Sequence, residues 1–255
     1  MLALLFPPSL GHVAASARAS LLSQWFARQL GVEVDIRVAD SYEALRGAIE
    51  QGEVDLAWAP PFVCAAVQEH AHTILKASRG GQSMYRSAII ARRGELSTVE
   101  ELPGRHAAWV DRLSTAGYLL PMARLRGLGY EPDDTFASQS FMGSYGRAVR
   151  AVLDRDADLC AVYVRDATTE SVDETLVDLV GETDQIHAVD FTAEVPSDGL
   201  VVVQKKGHTE LEHVVERLRS LSDGRTHTML LTIFDAEALE PAKPSDYDEL
   251  RLALR

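Results

Sequence analysis

Two helix starts carry hydroxyl and glycine residues in the pattern that anion binding needs. The first, Asp111–Tyr118, reads DRLSTAGY and directly follows the predicted strand His106–Val110. Hydroxyls and free amide groups converge at a helix N-terminus, the helix dipole favours negative charge there, and Gly117 allows a ligand to approach closely. The same residues also suit a simpler role, because Ser114 or Thr115 can act as an ordinary N-cap. The pattern therefore predicts either an oxyanion site or a plain helix cap.

The second helix start lies at Phe141–Arg147, which reads FMGSYGR. Ser144 can supply another hydroxyl there, and Tyr145 a phenolic donor. A Gly-Ser pair before a helix is also a common combination of turn and cap, so the segment by itself is weak support for a ligand contact.

Aromatic residues stand at the ends of two predicted strands. Trp58 ends one strand and precedes Pro60 and Pro61, where a proline in the first turn of a helix loses no needed hydrogen bond. Tyr85 begins another strand. Aromatic side chains at such ends can wall a ligand pocket or pack in the core, and the sequence leaves both roles open. Ser9, in the loop after the first predicted strand, is a further candidate ligand-binding residue.

Other chemistries have little support. The sequence contains no GxSxG, HExxH, GxxxxGK(S/T) or GxGxxG motif. Cys64 and Cys160 are far apart and lack CxxC spacing, which predicts two reduced structural thiols and neither a metal site nor a cofactor. The carboxylates available to an enzyme are Asp111, Asp166 and Asp198, and none has a partner at an informative spacing.

The elements that position these residues alternate between short apolar runs and helical patterns. The predicted strands are residues 2–6, 32–38, 53–58, 85–91, 106–110, 158–163 and 200–204. The predicted helices are residues 13–30, 41–51, 115–128, 143–154, 165–179 and 208–222. This alternation predicts mainly parallel sheets covered by helices. Because it restarts near residue 85, we expect two α/β lobes with a ligand cleft at the carboxyl ends of their strands.

Net charge restricts the class of partner. The 255 residues include 25 Lys and Arg against 38 Asp and Glu, a balance of −13 that disfavours nucleic acid and anionic membranes. A small anion remains compatible, because a few aimed amides can hold one locally. The apolar opening MLALLF stops at Pro7 and resembles neither a signal peptide nor a membrane span. We therefore expect a cytoplasmic protein as written, or a periplasmic or cell-surface one if a leader has been removed.

The order of these segments resembles the phosphate/phosphonate-type solute-binding proteins of ABC importers. The similarity covers roughly residues 1–220, and no single motif in it is as specific as the ordered set. The segments that carry it are SYEAL (41–45), GEVDLAW (52–58), YRSAII (85–90), LPGR (102–105), STAGY (114–118), FMGSY (141–145), AVRAVL (148–153), DAD (156–158) and VPSD (195–198).

The resemblance implies an α/β, two-lobe type II periplasmic-binding-protein fold, with lobe one at residues 1–91 and 196–255 and lobe two at residues 92–195. It further implies a non-catalytic, monomeric receptor that captures a small phosphonate- or phosphate-like anion. Its partner would be an ABC permease, or a regulatory protein in a cytoplasmic setting. Two alternatives remain open: a cytoplasmic enzyme on the same fold acting on a small carboxylate or phosphorylated metabolite, and a ligand-free interaction domain.

The resemblance also implies a set of ligand-binding residues. In such proteins the Ser-Thr helix start holds the anion oxygens, the second helix start adds a donor, and aromatics of lobe one close over the ligand. The corresponding residues are Ser114, Thr115, the amides of Ala116 and Gly117, Ser144 with Tyr145, and the aromatics Trp58 and Tyr85. Ala116 stands where the family often has serine and Tyr145 where it often has histidine. These changes would suit a ligand less charged than a phosphonate, or a carboxylate.

Overall fold

The computed structural model describes residues 1–7, 21–28, 31–181, 184–205, 213–216, 218, 228, 230–231, 234 and 236–253. The candidate residue Ser9 lies outside the described residues, as do parts of the predicted helices 13–30 and 208–222. The described residues include strands β1 Leu2–Phe6, β2 Val34–Val38, β3 Leu56–Ala59, β4 Ala71–Ser78, β5 Met84–Arg92, β6 His106–Trp109, β7 Ser138–Phe141, β8 Leu159–Val164, β9 Ile186–Phe191, β10 Val195–Pro196, β11 Gly199–Val203 and β12 Ala238–Pro241.

Helices connect most of these strands. Their bounds are 21–28, Tyr42–Glu50, Pro61–Ala66, Leu120–Gly127, Pro132–Thr135, Tyr145–Leu153, Thr169–Val180 and Asp248–Ala253, with a π-helical turn at Thr115–Leu119. Among the helices that the structure describes, none is both long enough and apolar enough to cross a lipid bilayer.

The chain divides into two compact units. The first comprises Met1–Ser83 and Pro196–Leu254, and the second comprises Met84–Val195. The division at Ser83 precedes the lobe boundary predicted at residue 91, because β5 pairs with β8 and β9 and so belongs to the sheet of the second unit.

The sheet of the first unit has the order β12-β4-β11-β3-β1-β2. Its core contains alternate residues of the central strands, such as Leu4 and Phe6, all almost fully buried. The Tyr42–Glu50 helix shows why the sequence folds locally as it does. Ser41 Oγ accepts a hydrogen bond from the Ala44 amide at 3.0 Å, and Leu45 and Ile49, one turn apart, provide its buried face.

The sheet of the second unit has the order β10-β5-β8-β6-β7, with β9 paired to β5. Strands β7, β6 and β8 run parallel, whereas β5 is antiparallel to β8 and to β9. Parallel neighbours end at the same edge of a sheet, so the segments that follow β6, β7 and β8 begin side by side.

Both sheets are mixed, whereas the sequence predicts mainly parallel ones. The parallel pairs are those joined by helical crossovers, as predicted. Strands β4, β9 and β12, which have no clear sequence signal, pair antiparallel with their neighbours and account for much of the difference.

Candidate functional site

The two helix starts singled out in the sequence lie next to each other in the second unit. Trp109 of β6 is in register with Phe141 of β7, so both strands end at the same level. The loops that follow are tied together, because the Met142 amide donates to the Trp109 carbonyl oxygen and the Gly143 amide to that of Val110, both at 2.8 Å. The sheet therefore positions the two starts as one surface.

Ser114 is the N-cap of the first helix. Its Oγ accepts a hydrogen bond from the Gly117 amide at 3.1 Å, and its carbonyl oxygen accepts one from the Leu119 amide at 3.0 Å, which closes a π-helical turn. The amides of Thr115 and Ala116 lie in the first turn, before any intrahelical acceptor is available to them. Unused donors and the positive end of the helix dipole thus coincide at this point.

Gly117 has a steric reason to be glycine. A Cβ atom at this position would lie 2.4 Å from Val110 Cγ2 and 2.7 Å from Ser114 Oγ, far inside van der Waals contact. The close packing of the helix start on the end of β6 therefore depends on this residue, whereas the sequence pattern predicted a glycine that lets a ligand approach.

Tyr145 reaches from the second helix start to the first. Ser144 caps the Tyr145–Leu153 helix by accepting a hydrogen bond from the Arg147 amide at 3.3 Å, and its side chain is exposed. The Tyr145 hydroxyl lies 3.3 Å from Ser114 Oγ, and either atom can donate. As a cap, the Ser114 oxygen accepts the Gly117 amide, and the same hydroxyl can also form a hydrogen bond with Tyr145. The role of helix cap is therefore compatible with a role in anion binding.

Ser87 on β5 is a supporting residue that the sequence did not reveal. It is fully buried, and its Oγ donates to the Ala116 carbonyl oxygen at 2.6 Å, with the Val162 carbonyl oxygen at 3.3 Å. A lone hydroxyl within the apolar run of β5 was the available signal, because a buried hydroxyl needs a partner. Ser87 anchors the helix start to the sheet.

Tyr163 on β8 is a second residue that sequence analysis missed. Its ring makes an edge-to-face contact with that of Tyr145, with centroids 5.2 Å apart and an interplanar angle of 84°. It is 38% exposed in a strand whose other residues are buried. No signal in the sequence indicates this role, because the exposure of Tyr163 and its contact with Tyr145 both arise from the tertiary fold.

A cation lies at the edge of the same surface. The Arg112 guanidinium carbon sits 4.6 Å from the ring centroid of Phe141, an arrangement typical of a cation–π contact.

Thr115, in the first turn of the helix, is only 7% exposed, so its side chain is largely shielded from solvent. Hydrogen bonds to an anion are stronger in such a setting than in water.

The remaining predicted site residues lie elsewhere. Trp58 is 7% exposed in the core of the first unit, with its ring centroid 4.6 Å from that of Phe234, so the structure places it in the core rather than at an open wall. Tyr85 is half-buried near the start of β5 and belongs to the second unit, not to the first as the resemblance implied.

The carboxylates considered for an enzyme have structural partners. Asp111 Oδ1 accepts a hydrogen bond from the Leu113 amide at 2.8 Å, and Asp166 accepts one from the Thr168 hydroxyl. Asp198 forms an ion pair with Arg79 at 3.2 Å. Over the described ranges, no group of three or more His, Cys, Asp or Glu residues is arranged to hold a metal ion.

Comparison with known proteins gives the fold and the family. Two solved structures match almost the whole chain: XAC2383 from Xanthomonas citri bound to ATP, 20% identical with a TM-score of 0.80, covers 99% of this chain and 95% of its own. PhnD1 from Prochlorococcus marinus in complex with methylphosphonate, 19% identical with a TM-score of 0.71, covers 99% and 96%. These likenesses show a type II periplasmic-binding-protein fold.

Sequence comparison adds the closer relationship. The phosphate-import protein PhnD of Mycolicibacterium smegmatis is 32% identical over 164 residues, which are 59% of this chain and 50% of that protein. The chain thus matches about half the length of this curated relative. The family described as the periplasmic substrate-binding protein of phosphonate ABC transporters matches residues 4–247, nearly the whole sequence. The chain therefore belongs to the phosphonate-binding family of ABC-transporter substrate-binding proteins.

Proposed function

We propose that this protein is a non-catalytic receptor that binds a tetrahedral phosphorus oxyanion at the joined helix starts of the second unit. The observation that carries the proposal is the 3.3 Å contact between Ser114 Oγ and Tyr145 Oη, which brings donors from two helices to one point. The named ligands of similar proteins are phosphate, methylphosphonate and ATP, and all three contain such a group.

Each residue has a distinct role in this proposal. The amides of Thr115 and Ala116 and the Thr115 hydroxyl donate to the anion oxygens, and the hydrogen-bonded pair of Ser114 and Tyr145 adds one further hydroxyl donor. Preformed donors at a helix start hold an oxyanion, and the Arg112 guanidinium at the edge of the surface adds a positive charge nearby. Local donors of this kind are compatible with a chain of net charge −13.

Membership of the family extends the proposal to a partner and a location. A substrate-binding component works outside the cytoplasmic membrane and passes its ligand to a permease, so we infer that this protein does the same. The carboxylates Asp111, Asp166 and Asp198 are engaged in local hydrogen bonds or an ion pair, which favours a receptor over an enzyme.

Isothermal titration with inorganic phosphate and with methylphosphonate tests the proposal. We expect binding of at least one ligand by the unaltered protein, and a loss of about ten- to hundredfold in Ser114→Ala or Thr115→Val. Each variant removes a hydroxyl that would bond a charged group, which is the basis of that magnitude.

Ser41→Ala is the matched control for Ser114→Ala. Ser41 is also an N-cap serine whose Oγ accepts an amide hydrogen bond, but it lies in the first unit. Both variants should lose about 1 kcal/mol of folding stability, and only Ser114→Ala should lose affinity. Unaltered affinity in Ser114→Ala and Thr115→Val, or no binding by the unaltered protein, would contradict the proposal.

A further inference from the structure

The anion-binding helix start has an aromatic neighbour that the anion itself does not need. Tyr163 lies on β8, whose residues Leu159 and Cys160 are in parallel register with Ala107 and Ala108 of β6. Tyr163 is three residues beyond Cys160, as Asp111 is three residues beyond Ala108. Continuing the register thus brings Tyr163 level with the segment that leads into the Ser114 helix start.

Two further contacts fix Tyr163 beside the donors. Its backbone is paired with Ser87, the residue whose hydroxyl holds the Ala116 carbonyl oxygen at 2.6 Å. Its ring packs edge-to-face on Tyr145, and the Tyr145 hydroxyl is 3.3 Å from Ser114 Oγ. Tyr145 thus contacts both Ser114, through its hydroxyl, and Tyr163, through its ring, so a substituent that extends from the bound oxyanion along the Tyr145 ring would reach Tyr163.

The geometry points to Tyr163 as a specificity-determining residue that contacts the carbon substituent of an organophosphonate. This inference rests on the proposed function. Inorganic phosphate has oxygen at all four positions, whereas a phosphonate has one carbon substituent that cannot accept the donors of the helix start. Contact between an exposed aromatic ring and such a group removes apolar surface of both from water, which stabilises the complex. The site would therefore favour alkylphosphonates over phosphate.

A ligand series separates this role from anion binding. Titrations with phosphate, methylphosphonate, ethylphosphonate and propylphosphonate measure the affinity gained with each added carbon. We expect a rise of up to about fourfold for each methylene in the unaltered protein, the value for full burial of that group. In Tyr163→Ala the rise should flatten, while affinity for phosphate changes by less than about twofold.

Two more variants keep the test decisive. Tyr163→Phe retains the ring and the contact with Tyr145, so it should keep the alkyl preference. Val177→Ala shortens another exposed apolar side chain of the second unit, on the Thr169–Val180 helix, and should alter nothing. Thermal unfolding of each variant verifies that it is folded. If Tyr163→Ala does not fold, the titrations are made with Tyr163→Phe.

The failures are distinguishable. An equal loss for phosphate and all phosphonates in Tyr163→Ala would make Tyr163 a support for Tyr145 only and overturn the inference. An unchanged alkyl series in that variant, or loss of the preference in Tyr163→Phe, would also overturn it. If the unaltered protein binds none of the four ligands, the proposed function fails and this inference fails with it.

Discussion

The two units contain helix starts of the same local topology that differ in what they present. In the first unit β3 leads into Pro60 and the Pro61–Ala66 helix, which has no side-chain cap and whose residues Pro61, Phe62 and Val63 are buried. In the second unit β6 leads to Ser114, a capped turn and a cluster of hydroxyls. The first helical residues are buried at both starts, Thr115, Ala116 and Gly117 included, so the difference lies in the groups they carry: apolar side chains at one start, hydroxyl and amide donors at the other.

Residue type, not topology, makes this difference. A proline at the first helical position has no N–H, so the first-unit start offers fewer amides to a ligand. The neighbouring aromatic residue, Trp58, packs against the ring of Phe234. At the second-unit start, serine and threonine supply hydroxyls and Gly117 permits the close packing. The connection from a strand to a helix can therefore bind an anion only where its residues supply free donors.

The largest expected effect comes from breaking the first-unit start. Trp58→Ala removes a buried indole and should cost about 3–5 kcal/mol in the free energy of unfolding, measured by urea denaturation. Affinity of the folded variant for phosphate or methylphosphonate should be almost unchanged. Trp58→Phe, which keeps a ring against Phe234, should lose much less stability. A stable Trp58→Ala protein with lost affinity would instead place the indole at the ligand.

Breaking the packing of the second-unit start should affect both stability and binding. Gly117→Ala forces a methyl group against Val110, and such overpacking typically costs about 1–3 kcal/mol. Because the helix start must shift to relieve the contact, we expect anion affinity to fall by about tenfold or more.

A glycine of the following helix provides the control for Gly117→Ala. A Cβ atom on Gly127 would meet no atom within 4 Å, so Gly127→Ala should leave affinity intact and keep or slightly raise stability. Equal behaviour of the two alanine variants would show that the packing on Val110 is unimportant.

A smaller effect should follow from loosening the support beneath the site. Ser87→Ala removes the donor to the Ala116 carbonyl oxygen and should cost about 1 kcal/mol, with affinity several-fold lower. Thr135→Val removes a comparable buried hydroxyl, which donates to the Glu131 carbonyl oxygen at 2.7 Å at the other end of the sheet. It should lose similar stability and no affinity. Loss of affinity in both variants would indicate a general loosening of the unit.

The second-unit start could be predicted because its signals are local. Ser114 and Gly117 lie in a short segment whose hydroxyls, glycine and preceding apolar run identify a strand followed by a helix, and Tyr145 lies in a segment with the pattern of a turn and cap before a helix. Their mutual approach required only that β6 and β7 be neighbours. The resemblance is to a family in which the same segments occur in the same order, and it indicated that this surface binds an anion.

The rest depended on pairings between distant residues. Trp58 could be core or wall until Phe234, far along the chain, was placed against it. The boundary moved to Ser83 because β5 pairs with strands much later in the sequence. Strand β7 reads SQSF and is only partly buried, so it has no apolar run to reveal it. Tyr163 also lacked a signal in the sequence, because its contact with Tyr145 joins two different elements of the fold.

Thiol chemistry gives the finest comparison of the two starts, because each can be tested with one cysteine. Cys64 lies on the first-unit helix, and burial, together with the Asp198 charge, raises the pKa of its thiol to about 12. Burial also raises the pKa of Cys160 in β8. Only the thiolate is a good nucleophile, so neither residue should react with iodoacetamide in the native protein at mildly alkaline pH, and both should react after unfolding.

Ser114→Cys places a thiol at the second-unit start, where the helix N-terminus lowers thiol pKa values and the side chain is only partly buried. Mass spectrometry should find a single added group in the native variant, and saturating methylphosphonate should slow its addition. Rapid labelling of native Cys64 would show that the first-unit start is open, and the contrast between the buried Cys64 and the partly buried position 114 would then be wrong. Labelling of Ser114→Cys that no anion slows would instead separate exposure at this position from ligand binding.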